Sequence, residues 1–229
     1  MLDFLIDLDT KILLFLNGIQ CAYFDNFMTL YTGRFIWAAM YATMLYALFR
    51  RFSWKVALGY TIAIALVIFI SDQLVASVIR PYFERLRPSN PNNPISEFIY
   101  IVNGYRGGKY GFPSCHAANS FALAMITSLI FHSRKYTIFI FIWAFINSYT
   151  RLYLGVHYPG DLLVGAIIGI TVGWTVYLLA HHVIMLISTP TERFSLRRNK
   201  MSQHPTNIKI YAGIATCLVI AIVSVFRMI

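Results

Sequence analysis

Three observations predict an all-α fold, a polytopic membrane helix bundle with about six transmembrane helices and an N-terminal interfacial helix. Of 229 residues, 58% are hydrophobic and only 12% charged, where soluble domains carry about 25% charged residues. Long apolar runs recur along the chain, most of them near the roughly 20 residues that a bilayer span needs. The charges fall in short loops between those runs, and no hydrophilic stretch is long enough to form a second domain.

Residues 1–26 form an N-terminal interfacial segment. Asp3, Asp7 and Asp9 occupy the region where a signal peptide would be basic. The uninterrupted apolar run Ile12–Leu16 is too short to span, so a helix lying along the membrane surface is expected. Residues 27–187 form the core. Its spans are expected near Phe27–Phe49, Trp54–Ile79, Ser114–Phe131, Tyr136–Thr150 and Gly160–Ile187, the fourth reaching bilayer length only through Tyr153. Gly165, Gly169 and Gly173 give the small-xxx-small spacing of closely packed helices. Residues 188–229 comprise a basic cytoplasmic loop, Thr189–Pro205, and a final span, Ile208–Phe226.

The net charge of +10 would suggest nucleic acid in a soluble protein. Here it follows topology instead. One face of a six-span chain collects Arg50, Arg51, Lys55, Arg134, Lys135, Arg193, Arg197, Arg198 and Lys200, with Glu192 as its only acid. The positive-inside rule places that face in the cytoplasm of a bacterial inner membrane. The opposite face, toward the periplasm or exterior, then carries both termini, the loop from Arg80 to Pro113 and the turn from Thr150 to Gly160. Cys21, Cys115 and Cys217 are odd in number and far apart, which gives neither a disulfide framework nor a metal spacing.

Three fragments on the outer face carry the chemistry. In Arg80-x6-Arg87-Pro88, Arg80, Arg85 and Arg87 crowd a span end where the topology disfavours cations. Guanidiniums suit bidentate phosphate binding. Simple snorkelling to the interface is the alternative, and Glu84 can partly neutralise Arg85. In Pro113-Ser114-Cys115-His116, Ser114 reads as an N-cap. The helix start behind it presents free N–H groups to an anion, with His116 in the first turn. In Arg151-x5-His157-x3-Asp161, the last two residues share a helix face. Asp161 can hold one ring nitrogen of His157 and leave the other as a nucleophile, while Arg151 supplies a further phosphate contact. Arg106 and Lys109, in the Gly-, Pro- and Asn-rich loop Ser89–Phe112, can frame a head group. Asp72 interrupts the second span and reads as a packing group; His132, His181, His182 and His204 read as interfacial.

In combination the fragments resemble the type 2 phosphatidic acid phosphatase superfamily, the membrane lipid phosphatases related to vanadium haloperoxidases. The family pattern is Lys-x6-Arg-Pro, Pro-Ser-Gly-His and Ser-Arg-x5-His-x3-Asp, and all three appear in order with matching spacing. The resemblance implies a metal-independent phosphatase, with no cofactor, acting on a lipid phosphate or diphosphate within the bilayer. Undecaprenyl diphosphate, lipid A phosphate, phosphatidylglycerol phosphate and phosphatidate are its candidate substrates. It implies that His157 becomes a phosphohistidine, that Asp161 balances its charge, and that His116 protonates the leaving oxygen. Arg80, Arg87, Ser114 and Arg151 would clamp the phosphate. Three residues depart from the pattern: Arg80 for Lys, Thr150 for Ser and Cys115 for Gly. Cys115 puts a side chain where backbone approaches phosphate, which keeps a non-catalytic lipid-phosphate binder or flippase as the alternative. The sequence leaves the oligomeric state open.

Overall fold

The computed structural model describes residues 2–193, 196 and 207–227. Arg197, Arg198, Lys200 and His204 lie outside the described residues. The described chain is helical: α1 (Leu2–Asn17), α2 (Ala22–Tyr31), α3 (Ala38–Arg51), α4 (Trp54–Gln73), α5 (Arg80–Phe83), α6 (Cys115–Phe131), α7 (Arg134–Tyr153), α8 (Pro159–Ile187) and α9 (Ile208–Phe226). A π-helical turn, Leu74–Ile79, joins α4 to α5. Pro81 lacks an N–H, and in an α-helix its ring would strike the carbonyl of residue 77. A wide turn before it relieves that clash.

Among the described residues, three helical stretches are long and apolar enough to cross a membrane: Trp54–Phe83, Pro159–Ile187 and Ile208–Phe226. With them the chain reads as a membrane protein. α6 is apolar but has 17 residues, about 25 Å of helix. α7 extends to Tyr153 over 20 residues, and its last turns bury Asn147, Ser148, Thr150 and Arg151 in the bundle.

The segment expected as the first span, Phe27–Phe49, is not one helix. α2 stops at Tyr31, a 3-10 turn covers Phe35–Trp37, and α3 starts at Ala38. The Gly33 amide closes a tight turn onto Leu30 O, and the Trp37 indole donates to Tyr31 O at 2.9 Å. The freed helix end is satisfied inside the core, so the break costs little and places Thr32 and Arg34 at the rim of a cavity.

The core is built on α6, wrapped by α4, α7 and α8. Trp37, Met40, Val67, Ile126, Phe131, Tyr136, Ile140 and Trp143 are all nearly fully buried there. α6 and α8 run at backbone contact. A Cβ at Gly165 would lie 2.5 Å from Ser114 O, and one at Gly169 would meet Ala118 O. This glycine seam fixes the start of α8 beside the start of α6.

α1 docks on the same end of the bundle. Leu13 is fully buried against Ile99, Leu152 and Tyr158. Asn17 donates to Tyr153 O at 2.8 Å and accepts from Tyr100 N at 2.9 Å. Its other face exposes Phe4, Leu5 and Phe15.

Candidate active site

Each fragment reaches the site through a local backbone device. Ser114 caps α6, its hydroxyl accepting from Ala117 N at 3.4 Å, and its own N–H donates to Asp161 O at 3.0 Å. That bond ties the second fragment to the third. Asp161 lies in the first turn of α8, where Pro159 starts the helix and the carboxylate accepts from Tyr158 N at 3.0 Å. Arg87 follows α5 in the long loop; its N–H pairs with Lys109 O, and its side-chain Nε donates to Tyr110 O at 3.1 Å.

Together these devices enclose a cavity of about 480 Å³. Arg80, Arg87, Cys115, His116, Arg151 and His157 all line it. Ser114 and Asp161 are fully buried just behind the wall.

His157 is 2% exposed and bonded on both ring nitrogens. Arg87 Nη1 lies 2.8 Å from Nε2, and Asp161 Oδ2 lies 3.2 Å from Nδ1. A guanidinium only donates. Nε2 therefore accepts, and Nδ1 carries the proton that it donates to Asp161. Burial, followed by the charges of Arg87, Arg151 and Arg80, holds His157 well below its ordinary pKa, so the ring is neutral. A neutral imidazole with a fixed Nδ1–H and a lone pair on Nε2 at the cavity is the state a nucleophile needs.

The cations are packed against one another. Burial and the charges of Arg80 and Arg151 push Arg87 down to about 10. Arg80 donates from Nη2 to Pro113 O at 2.9 Å and to Cys115 Sγ at 3.0 Å. Arg151 donates to Thr32 Oγ1 at 3.1 Å and to the Tyr105 hydroxyl at 3.2 Å. Nε of both Arg80 and Arg151 is buried with no partner. Mutually repelling guanidiniums with spare donors are a site for a multiply charged anion. Among the described residues, no group of three or more His, Cys, Asp or Glu side chains could hold a metal ion.

Four further residues shape the site without having been expected from sequence. Thr32 Oγ1 bridges Arg151 and His116, 3.1 Å from each. Arg34 and Tyr105 line the cavity. Burial would raise the Tyr105 pKa, but its bond to Arg151 and the charges of Arg151, Arg87 and Arg34 outweigh that and lower it. Asp9, from α1, bonds Arg85 behind Asp161. A polar Thr-Gly-Arg triplet inside an apolar run was the available signal for Thr32 and Arg34. Asp9 carried none beyond its charge.

Three residues expected as substrate contacts lie elsewhere. Arg85 pairs with Asp9 and Asp161 and does not line the cavity. Arg106 donates to Ser89 O at 2.6 Å and staples the loop. Lys109 lies 4.8 Å over the Tyr110 ring. The loop presents Val102, Asn103 and Tyr105 to the cavity instead. Asp72 accepts from Asn119 at 3.2 Å.

A second cleft of about 720 Å³ shares Thr32, Gly33, Arg34, Cys115 and His116 with the first. It runs on between apolar residues such as Tyr41, Leu45, Ile68, Phe69 and Leu123.

Residues 56–185 match the family model of the PAP2 superfamily. A lipid A 4′-phosphatase of Bacteroides thetaiotaomicron is 51% identical over 227 residues, covering 99% of this chain and all of that one. A lipid A 4′-phosphatase of Porphyromonas gingivalis is 37% identical over 176 residues, covering 77% of this chain and 74% of that one. The crystal structure of Aquifex aeolicus LpxE superposes with a TM-score of 0.55 at 23% identity, covering 74% of this chain and 94% of that one. That last match speaks to the fold alone.

Proposed function

The chain belongs to the PAP2 superfamily, and from that premise and the site geometry we propose that it is a membrane phosphatase removing the 4′-phosphate of lipid A. The phosphatase reading is carried by His157, with Nδ1 tied to Asp161 and Nε2 held by Arg87 at a cavity lined by four arginines. The choice of lipid A over other lipid phosphates is carried by the 51% identical relative, which this chain matches over its whole length.

Arg80, Arg87 and Arg151 take the phosphoryl oxygens, helped by the amides at the start of α6. Arg87 transfers its Nη1 donor from His157 to the phosphate, which frees the Nε2 lone pair. Nε2 attacks phosphorus in line, and the bond from phosphorus to the sugar oxygen breaks. His116 gives that oxygen a proton. Asp161 holds Nδ1–H and balances the charge that appears on the ring. Water then attacks the phosphohistidine, His116 takes its proton, and inorganic phosphate leaves. Fixed charges aimed at the transferring group supply most of the rate gain.

The apolar second cleft accepts part of the lipid while the head group occupies the first. Six traverses fit the bundle if α2 and α3 together form the first and α4 to α5, α6, α7, α8 and α9 the rest. Arg50, Lys55, Arg134 and Lys135 then mark the cytoplasmic end of an inner membrane. The site opens to the periplasm, and α1 rests in the outer interface with Phe4, Leu5 and Phe15 toward lipid.

The test is phosphate release by the purified protein from lipid A, undecaprenyl diphosphate, phosphatidylglycerol phosphate and phosphatidate, with mass analysis of which lipid A phosphate is lost. Preference for lipid A with loss at the 4′ position is expected. Equal rates on all four would remove the substrate assignment, and no release from any would remove the enzymatic one.

A further inference from the structure

Arg85 stands between two carboxylates. Nη1 donates to Asp161 Oδ1 at 3.0 Å and Nη2 to Asp9 Oδ2 at 2.7 Å. Its guanidinium carbon lies 3.7 Å over the Tyr158 ring, and the Tyr158 hydroxyl accepts from Asn93 at 3.0 Å. The other oxygen of Asp9 accepts from Gly160 N at 2.7 Å, in the first turn of α8. Gly160 leaves room for that approach: a Cβ there would lie 2.9 Å from Asp9 Oδ2. Asp9 and Arg85 are both absent from the cavity wall.

We infer that Asp9 and Arg85 are positioning residues for phosphoryl transfer, acting on His157 through Asp161. The inference rests on the reading of His157 as nucleophile. Asp161 is fully buried, and an unpaired buried carboxylate is costly. Arg85 supplies a cation bonded directly to it. Arg85 alone, however, would cancel the charge that Asp161 must offer the ring. Asp9 corrects that balance. Two carboxylates and one guanidinium leave one negative charge, which faces His157 as the phosphoryl group arrives on Nε2. Asp9 also grips the α8 turn that carries Asp161, so charge and orientation are set by the same side chain. It does so from α1, outside residues 56–185 that match the family model.

The roles separate in kinetics. Neither residue touches the cavity, so Asp9→Asn should lower kcat roughly tenfold with KM unchanged, the size expected for coupled neighbours in one charged network. Asp9→Glu, which keeps the charge, should recover most of that loss. In an Arg85→Gln background, Asp9→Asn should have little further effect, because the charge link through Arg85 is already cut and the Asn oxygen still accepts from Gly160 N. Binding of inorganic phosphate should be the same in every variant.

The experiment is steady-state kinetics on lipid A for the full-length wild type, the three single variants and the double variant, with His157→Ala and phosphate binding measured alongside. A kcat for Asp9→Asn equal to wild type, or a loss that simply multiplies with that of Arg85→Gln, would overturn the inference while leaving the phosphatase reading intact. Should Asp9→Asn fail to fold, Arg85→Lys carries the same question: it should lose kcat with KM unchanged, and full activity would overturn the inference. An inactive wild type, or an active His157→Ala, would instead remove the reading beneath it.

Discussion

Arg87 Nη1 lies 2.8 Å from His157 Nε2, and this contact determines the chemistry of both residues. It assigns the imidazole tautomer, since the guanidinium has only protons to give. In the proposed mechanism it also couples phosphate binding to release of the nucleophile, because the donor that serves Nε2 in the free protein would serve a phosphoryl oxygen in the complex. Replacing Arg87 by Lys keeps the charge and loses the fork that serves Tyr110 O, Val156 O and Nε2 at once. A fall in kcat/KM of about a hundredfold, roughly 2.7 kcal/mol of transition-state stabilisation, is expected from initial rates on lipid A.

The crowded arginines predict stabilisation by anions. Phosphate or orthovanadate should raise the melting temperature by relieving repulsion among Arg80, Arg87 and Arg151. At a hundred times its dissociation constant, a ligand contributes about 2.7 kcal/mol. Orthovanadate should also inhibit competitively. A melting temperature indifferent to both anions would contradict the electrostatic picture.

His157 gives a signed dependence on pH. Its pKa is held below the ordinary 6.5 in the folded protein, so the unfolded chain binds more protons as pH falls through 6.5. Stability from this group is then fully present above pH 6.5 and lost progressively below it. Thermal melting of the ligand-free protein from pH 8 to pH 5 should fall on the acid side, and His157→Asn should flatten part of that fall.

Thr32 is expected to matter as much as a motif residue. Its hydroxyl serves Arg151 and His116 together. Thr32→Val leaves a buried guanidinium donor without its acceptor, a loss of about 1–3 kcal/mol. Steady-state rates should fall by ten- to a hundredfold. A rate within twofold of wild type would exclude this bridging role.

Cys115 lines the cavity with Sγ 3.0 Å from Arg80 Nη2. N-ethylmaleimide should therefore block the wild type and be held off by bound phosphate. Cys115→Gly should remain active and become resistant. Inhibition of Cys115→Gly by the same reagent would place the sensitive thiol elsewhere.

Much of the helical architecture and the wall of the site was legible because motif spacing and hydropathy are local signals. The starts of α6 and α8 followed from Pro113-Ser114 and Pro159, and their close contact from Gly165, Gly169 and Gly173. The break at Tyr31–Trp37 was not read: its one local signal is the short Thr32-Gly33-Arg34 interruption, and the helix end is satisfied by an indole six residues on. Thr32 and Arg34 were missed with it. Arg85, Arg106 and Lys109 were read as substrate contacts because they neighbour Arg87 or share its loop. The partners of Arg85, Asp9 and Asp161, each lie 76 residues away and that of Arg106, Ser89, lies 17 away, and a single sequence does not pair such residues; Lys109 lies over the ring of its neighbour Tyr110.

The central claim is that His157 attacks phosphorus. Phosphate release from lipid A by purified His157→Ala, beside the wild type and with phosphate binding verified in both, tests it most directly. Loss of turnover with the anion still bound is expected; turnover by His157→Ala at the wild-type rate would show that another group attacks phosphorus.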